Sequence, residues 1–164
     1  MIAIVVVVVL GLIAIKANMG PSSGSVGPNT TIMAAADAAQ AQQSLSNALG
    51  AAQSQLVAAQ ATGALSTDAL HAAEPSITFT VGASSGPTDV SIYGDPSGSG
   101  AVTMATRSSD GTCWYLWWSA KSGTWYGAQT QQSSCAAPAL VAAPANSQVT
   151  SASIGWSQSS FPSA

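Results

Sequence analysis

The stretch CWYLWWSAKSGTWYG, which starts at Cys113, constrains the fold more than any other part of the chain. A β-strand sends successive side chains to opposite faces. On that period Trp114, Leu116 and Trp118 share one face, and Tyr115 and Trp117 share the other. Trp125 and Tyr126 follow after the KSG turn. Both faces of one strand are therefore bulky and apolar, and exposed aromatic patches of that size rarely lack purpose. A sheet built on this strand needs a cover on each side. A helix can supply one; the other must be a loop, a neighbouring subunit or a ligand. Core or subunit packing is the first reading of Tyr115, Trp117, Trp125 and Tyr126. A carbohydrate platform is the second, because Trp and Tyr stack on the apolar faces of sugars.

The period of two begins well before Cys113. In SITFTVG it places Ile77, Phe79 and Val81 on one face and Thr78 and Thr80 on the other. After an SSGPT turn, DVSIYG repeats it with Val90 and Ile92. DPSGSG is a further turn before AVTMATRS. Short alternating runs joined by Gly, Ser and Pro predict an antiparallel meander. Upstream the period is helical. Leu45, Leu49, Ala52, Leu56 and Ala59 fall on one face of a helix predicted over 32–62. Thr30 or Thr31 can cap its start and Gly63 can stop it. LSTDALHAAEP predicts a short second helix, capped by Ser66 or Thr67 and ended by Pro75. The expected class is α+β, an amphipathic helix packed on a small antiparallel sheet. After Cys135 the chain is rich in Pro, Ser and Ala, and its composition predicts a loose or extended tail.

The chain opens MIAIVVVVVLGLIAIK, and Ile2 to Ile15 is apolar apart from Gly11. As a helix that block would reach roughly 20 Å, short of the ~30 Å hydrocarbon core of a bilayer. It has the length of a signal-peptide apolar region with a weak small-residue site at Ala17, but no cationic lead-in. It also reads as the remainder of a longer membrane helix, with Ile2, Ile4, Val5, Val8, Leu12 and Ile15 as its anchoring side chains. GPSSGSVGPN, from Gly20 to Asn29, breaks the helix before the next one starts.

Only 5% of residues are charged, and Lys16, Arg107 and Lys121 are the three basic ones in a net charge of −3. Phosphate backbones need clustered Lys and Arg, so nucleic acid is not expected as a partner. His71 is the single histidine and has only Glu74 nearby in sequence, which argues against a metal site or catalytic base there. Asp37, Asp68, Glu74, Asp89, Asp95 and Asp110 sit mostly at turns and helix starts, where Asp satisfies free backbone N–H groups. There is no GxSxG, and the Gly-rich stretches lack the Lys-Ser/Thr step of a phosphate loop. No enzyme activity, cofactor or metal is expected. Cys113 and Cys135 beside an apolar N-terminus suggest export and one disulfide; two separate buried thiols are the alternative.

The ordered set of features resembles the head of type IV pilin-like and type II secretion pseudopilin-like proteins of Gram-positive bacteria. Four segments carry the resemblance. They are a helix with Leu45, Ala48 and Leu49 at L-x-x-A-L spacing, an EPSITF strand opening from Glu74, SSDGTCWY around the first Cys, and WYG before the second. MIAIVVVVVLGLIAI is similar to the continuation of the family's apolar helix, although the leader glycine and early glutamate of the family are absent from this sequence. The resemblance implies an anchor at 1–17, incomplete at its N-terminus, a neck at 18–30, an α+β head at 31–138 and a low-complexity tail at 139–164. It implies a Cys113–Cys135 disulfide. It implies a structural subunit held in the cell membrane by one N-terminal helix with its head outside, or assembled in a surface filament. The partners would be the membrane, like or related pilin subunits, and the assembly machinery. The alternative is a membrane-anchored or secreted module that uses exposed aromatics on wall polysaccharide.

Overall fold

The computed structural model describes residues 28–58, 65–96 and 99–164. Helices α1 (Pro28–Ala58) and α2 (Thr67–Ala73) precede six strands: β1 (Thr78–Thr80), β2 (Asp89–Gly94), β3 (Val102–Arg107), β4 (Cys113–Ser119), β5 (Gly123–Gln129) and β6 (Gly155–Ser157). The chain is α+β. The anchor residues Ile2, Ile4, Val5, Val8, Leu12 and Ile15 lie outside the described residues, as do Ala59 and Gly63. Among the described residues no helix is long and apolar enough to cross a membrane.

Helix α1 starts at Pro28, inside the expected neck. Proline suits the first turn, where its missing N–H is one the helix would leave unbonded anyway. Thr30 and Thr31 therefore lie within the helix rather than capping it. Ala41, Leu45, Ala48 and Ala52, spaced four, three and four, are fully buried. Leu49 and Leu56 only flank this stripe, so the buried line runs beside the one expected. The reason is volume. Below the helix lie Met104, Trp114 and Leu116, and such a bulky floor accepts alanine methyls more readily than a second layer of leucines. Leu45 is the large residue of the stripe, and its full burial contributes about 1.5–3 kcal/mol.

In α2 the Ser66 hydroxyl accepts from the Ala69 N–H, as a cap should, and the Glu74 N–H donates to the Leu70 carbonyl. His71 Nδ1 donates to the Ile77 carbonyl at 2.8 Å. That bond ties α2 to the approach of β1 and gives the single histidine a structural partner.

The strands form one sheet in chain order, β1 to β6. Every neighbouring pair from β2 to β6 is antiparallel, but β1 runs parallel to β2, with Phe79 opposite Val90. The sheet is thus mixed rather than purely antiparallel. A parallel neighbour usually needs a long crossover. Here β1 is only three residues long, so the 81–88 return suffices. Its midpoint pairs elsewhere, with Ser84 bridged to Cys135. Val81, expected to continue the apolar face of β1, lies past its end and is exposed.

The helix-side face carries Phe79, Val90, Ile92, Val102, Met104, Trp114 and Leu116 under α1 and α2. The opposite face carries Ala105, Tyr115, Trp117 and Trp125, covered by the chain that follows β5. The tail expected to be loose is therefore docked. Cys135 is disulfide-bonded to Cys113 across 22 residues. Just beyond it the Ala137 N–H donates to Ser91 Oγ at 2.8 Å, and Trp117 Nε1 donates to the Leu140 carbonyl at 3.1 Å. Gln129 and Gln132 both donate side-chain N–H groups to the Ser151 carbonyl. The chain then returns as β6 on the β5 edge, with Trp156 opposite Gly127. That glycine is required by close approach, because a Cβ there would stand 2.9 Å from the Trp156 ring. Beyond β6, Phe161 passes to the helix side and packs edge-on against Trp114 and Tyr126, at centroid distances of 5.9 and 4.9 Å.

Candidate functional site

The alternation read from CWYLWW holds, and it splits the aromatic set. Tyr115, Trp117 and Trp125 share the face away from α1, whereas Tyr126 lies on the helix side against Phe161. The four residues grouped as a subunit or glycan contact do not form one surface. Nor are the three on the second face exposed: Tyr115 keeps 4%, Trp117 1% and Trp125 8% of their accessible area. The cover is intramolecular, made by the segment from Cys135 to Trp156. An open aromatic platform is absent from this face of the sheet, because the sheet's second apolar face is satisfied within the chain.

Burial has a chemical consequence at Tyr115. Desolvation pushes its phenol up to about 12, and the hydroxyl donates to the Gln129 side-chain carbonyl at 3.4 Å. At the other end of β4 the β3–β4 turn is tightly bonded. Asp110 accepts from the Ser108 hydroxyl at 2.6 Å and from the Thr112 N–H at 2.9 Å. Burial acts upward on this carboxyl, but those hydrogen bonds outweigh it and hold the carboxyl below its ordinary value. Gly111 turns the corner at φ +82, a conformation that favours glycine. Its carbonyl accepts from the Gln132 N–H, and Arg107 Nε donates to the Gln132 carbonyl. The turn therefore locks the start of the C-terminal cover beside the disulfide. Trp114 Nε1 completes the arrangement by donating to Ser108 Oγ.

Surface hollows among the described residues accompany this framework. One, of about 450 Å³, lies between the end of α1 and the sheet, lined by Gln53, Leu56, Val57, Ser99, Gly100, Trp118 and Ala120. A second, of about 420 Å³, lies beside Thr31, Met33, Ala34, Ser109 and Asp110. The third, of about 270 Å³, opens where the covering segment passes the β4–β5 turn, with Trp117 at its wall. Ser119, Lys121 and Ser122 around this hollow were not singled out by sequence reasoning. Serines and one lysine in a turn carry no pattern distinguishing a lining from an ordinary solvated loop. Among the described residues no three His, Cys, Asp or Glu side chains are placed to hold a metal ion.

Comparison with known proteins adds no relative: no family model, curated protein or solved structure matches this chain.

Proposed function

We propose that this chain is a structural subunit of a type IV pilus or pseudopilus, held in the cell membrane by its N-terminal apolar segment and displaying an α+β head outside. The observation that carries the proposal is the division of α1. The helix runs 31 residues, and over 31–58 its buried positions fall between Ala41 and Ala52. Ahead of them Ile32 and Met33 expose 65% and 67% of their area. A helix that bares large apolar side chains before it reaches its own core has a face left for another surface. In a filament subunit that surface is the helix bundle of neighbouring copies. A disulfide-closed head with few charges and abundant Ser, Thr and Gln suits the same exported setting.

Thiol cross-linking in the native cells tests the proposal. The chain's own cysteines are both bonded, so a new thiol reports alone. Ile32→Cys should give a ladder of oxidised oligomers in sheared surface material, and Val141→Cys, exposed on the far side of the head, should give none. A mature N-terminus near Asn18 with no ladder would remove both the anchor and the filament. The polysaccharide-module alternative rested on exposed aromatics, and Tyr115, Trp117 and Trp125 are buried.

A further inference from the structure

The two ends of the head carry complementary surfaces. Strand β4 holds the β3–β4 turn and the β4–β5 turn roughly 20 Å apart. At the first end α1 passes the β3–β4 turn, and Met33 and Ala34 share a hollow with Ser109 and Asp110. Met33 exposes 67% of its area there, and Asp110 is exposed beside it. At the other end the hollow of about 450 Å³ lies between Leu56 and Val57 of α1 and Trp118 and Ala120 of the sheet and its turn. Among the described residues that line it none is charged. Val57 at its rim exposes 80% of its area, and Lys121, next to Ala120, is exposed.

One end thus offers an apolar side chain beside an anion, and the other an apolar hollow beside a cation. Methionine is unbranched and flexible, which lets it fill an irregular gap. The two surfaces cannot meet within one chain. Met33 and Val57 lie on one continuous helix and are separated along its axis by about 36 Å. An apolar group complementary to a hollow elsewhere on the same molecule makes a heterologous contact, which propagates from copy to copy unless the rotation closes a ring.

We propose that the heads of successive copies dock end to end, with Met33 of one copy entering the hollow between Leu56, Val57 and Trp118 of the next and Asp110 brought near that copy's Lys121. The inference deepens the filament proposal and rests on it. It leaves Ile32 free for the lateral helix contact, because consecutive helix residues point about 100° apart.

The test is cysteine cross-linking of the full chain in its own cells, where the native cysteines are bonded to each other. Met33→Cys and Val57→Cys in one chain should give a ladder of oxidised oligomers in sheared surface material, because each copy then carries a thiol at each end. Both positions are exposed, so neither change opens the core. Either single variant lacks the second thiol and should stay monomeric. Lys121→Glu changes an exposed turn residue, so it should fold normally and reduce the ladder of the double variant about twofold to fivefold, the scale of an exposed ion pair. An unchanged ladder would overturn the role of Lys121. Dimers from Met33→Cys alone, at the yield of the double variant, would overturn head-to-tail docking, since like ends would then meet. No ladder from the double variant while Ile32→Cys still oligomerises would overturn the docking and leave the filament standing. Failure of both would remove the filament as well.

Discussion

Gly155 opens β6, and a methyl group added there would strike backbone rather than side chain. A Cβ at this position would lie 2.6 Å from the Gln148 carbonyl carbon and 2.7 Å from Val149 Cα, and closer still to the Val149 nitrogen. These atoms cannot rotate aside. The Ser147 N–H donates to the Trp156 carbonyl and the Trp156 N–H donates to Ser147 Oγ, so the two passes of chain are bonded immediately beside the clash. Relief would require shifting β6 off β5 and lifting Trp156 from the Tyr115 face, where the two rings lie 6.1 Å apart. Overpacking typically costs 1–3 kcal/mol, and a backbone-on-backbone clash belongs at the upper end, about 3 kcal/mol. Gly50 provides the internal control. It sits within α1 with nothing within 4 Å of its would-be Cβ, so Gly50→Ala should stabilise by about 0.5–1 kcal/mol. Urea unfolding of the two variants, both kept oxidised, should move the midpoint in opposite directions. The loss for Gly155→Ala should be on the order of 1 M or more. A Gly155→Ala midpoint at or above wild type would refute the reasoning, since only an undocked C-terminal segment could absorb that methyl without cost.

Other tests follow from the same geometry. Replacing both Cys113 and Cys135 by Ala opens a loop with a sequence separation of 22 and should cost about 3 kcal/mol in urea unfolding, with no added effect of reductant on the variant. For Tyr115 the folded phenol titrates near 12, above the unfolded value near 10, so burial favours the neutral form. Its contribution is complete below pH ~10 and is lost as pH rises toward ~12. Absorbance at alkaline pH should show one tyrosine ionising late, and Tyr115→Phe should remove that step and flatten the loss of stability over the same interval. Trp117→Ala should behave as a core truncation, costing about 3–5 kcal/mol, because the ring is buried and its N–H is bonded to Leu140.

The elements were largely readable because each depends on local rules. The helical spacing of Leu45 and Ala52, the Ser66 cap, and the two-residue period from Ile77 through Trp118 all follow from neighbours a few positions apart. Misreadings arose where distant segments meet. The buried stripe of α1 is centred on Ala41, Leu45 and Ala48 because the sheet below is bulky, which no helical wheel contains. β1 runs parallel to β2, and the connection between them pairs through Ser84 with Cys135, far along the chain. The grouping of Tyr126 with Trp125 failed for a simpler reason: adjacent strand residues face opposite ways, and the sequence rule itself would have separated them.

By itself, then, the sequence determined that a strand with bulky residues on both faces would need two covers, since alternation and hydrophobicity are local properties. It also supplied the two cysteines, the low charge and the helix able to form one cover. Only the tertiary structure decided what the second cover is. The segment after Cys135 is rich in Ala, Ser and Pro with little apolar periodicity, so nothing local marks it as packed. Its docking depends on the disulfide, on backbone carbonyls that accept from Trp117, Gln129 and Gln132, and on a glycine that lets Trp156 lie flat against β5. Backbone groups are identical at every position of a chain, and which of them a distant side chain will find is settled only when the chain folds.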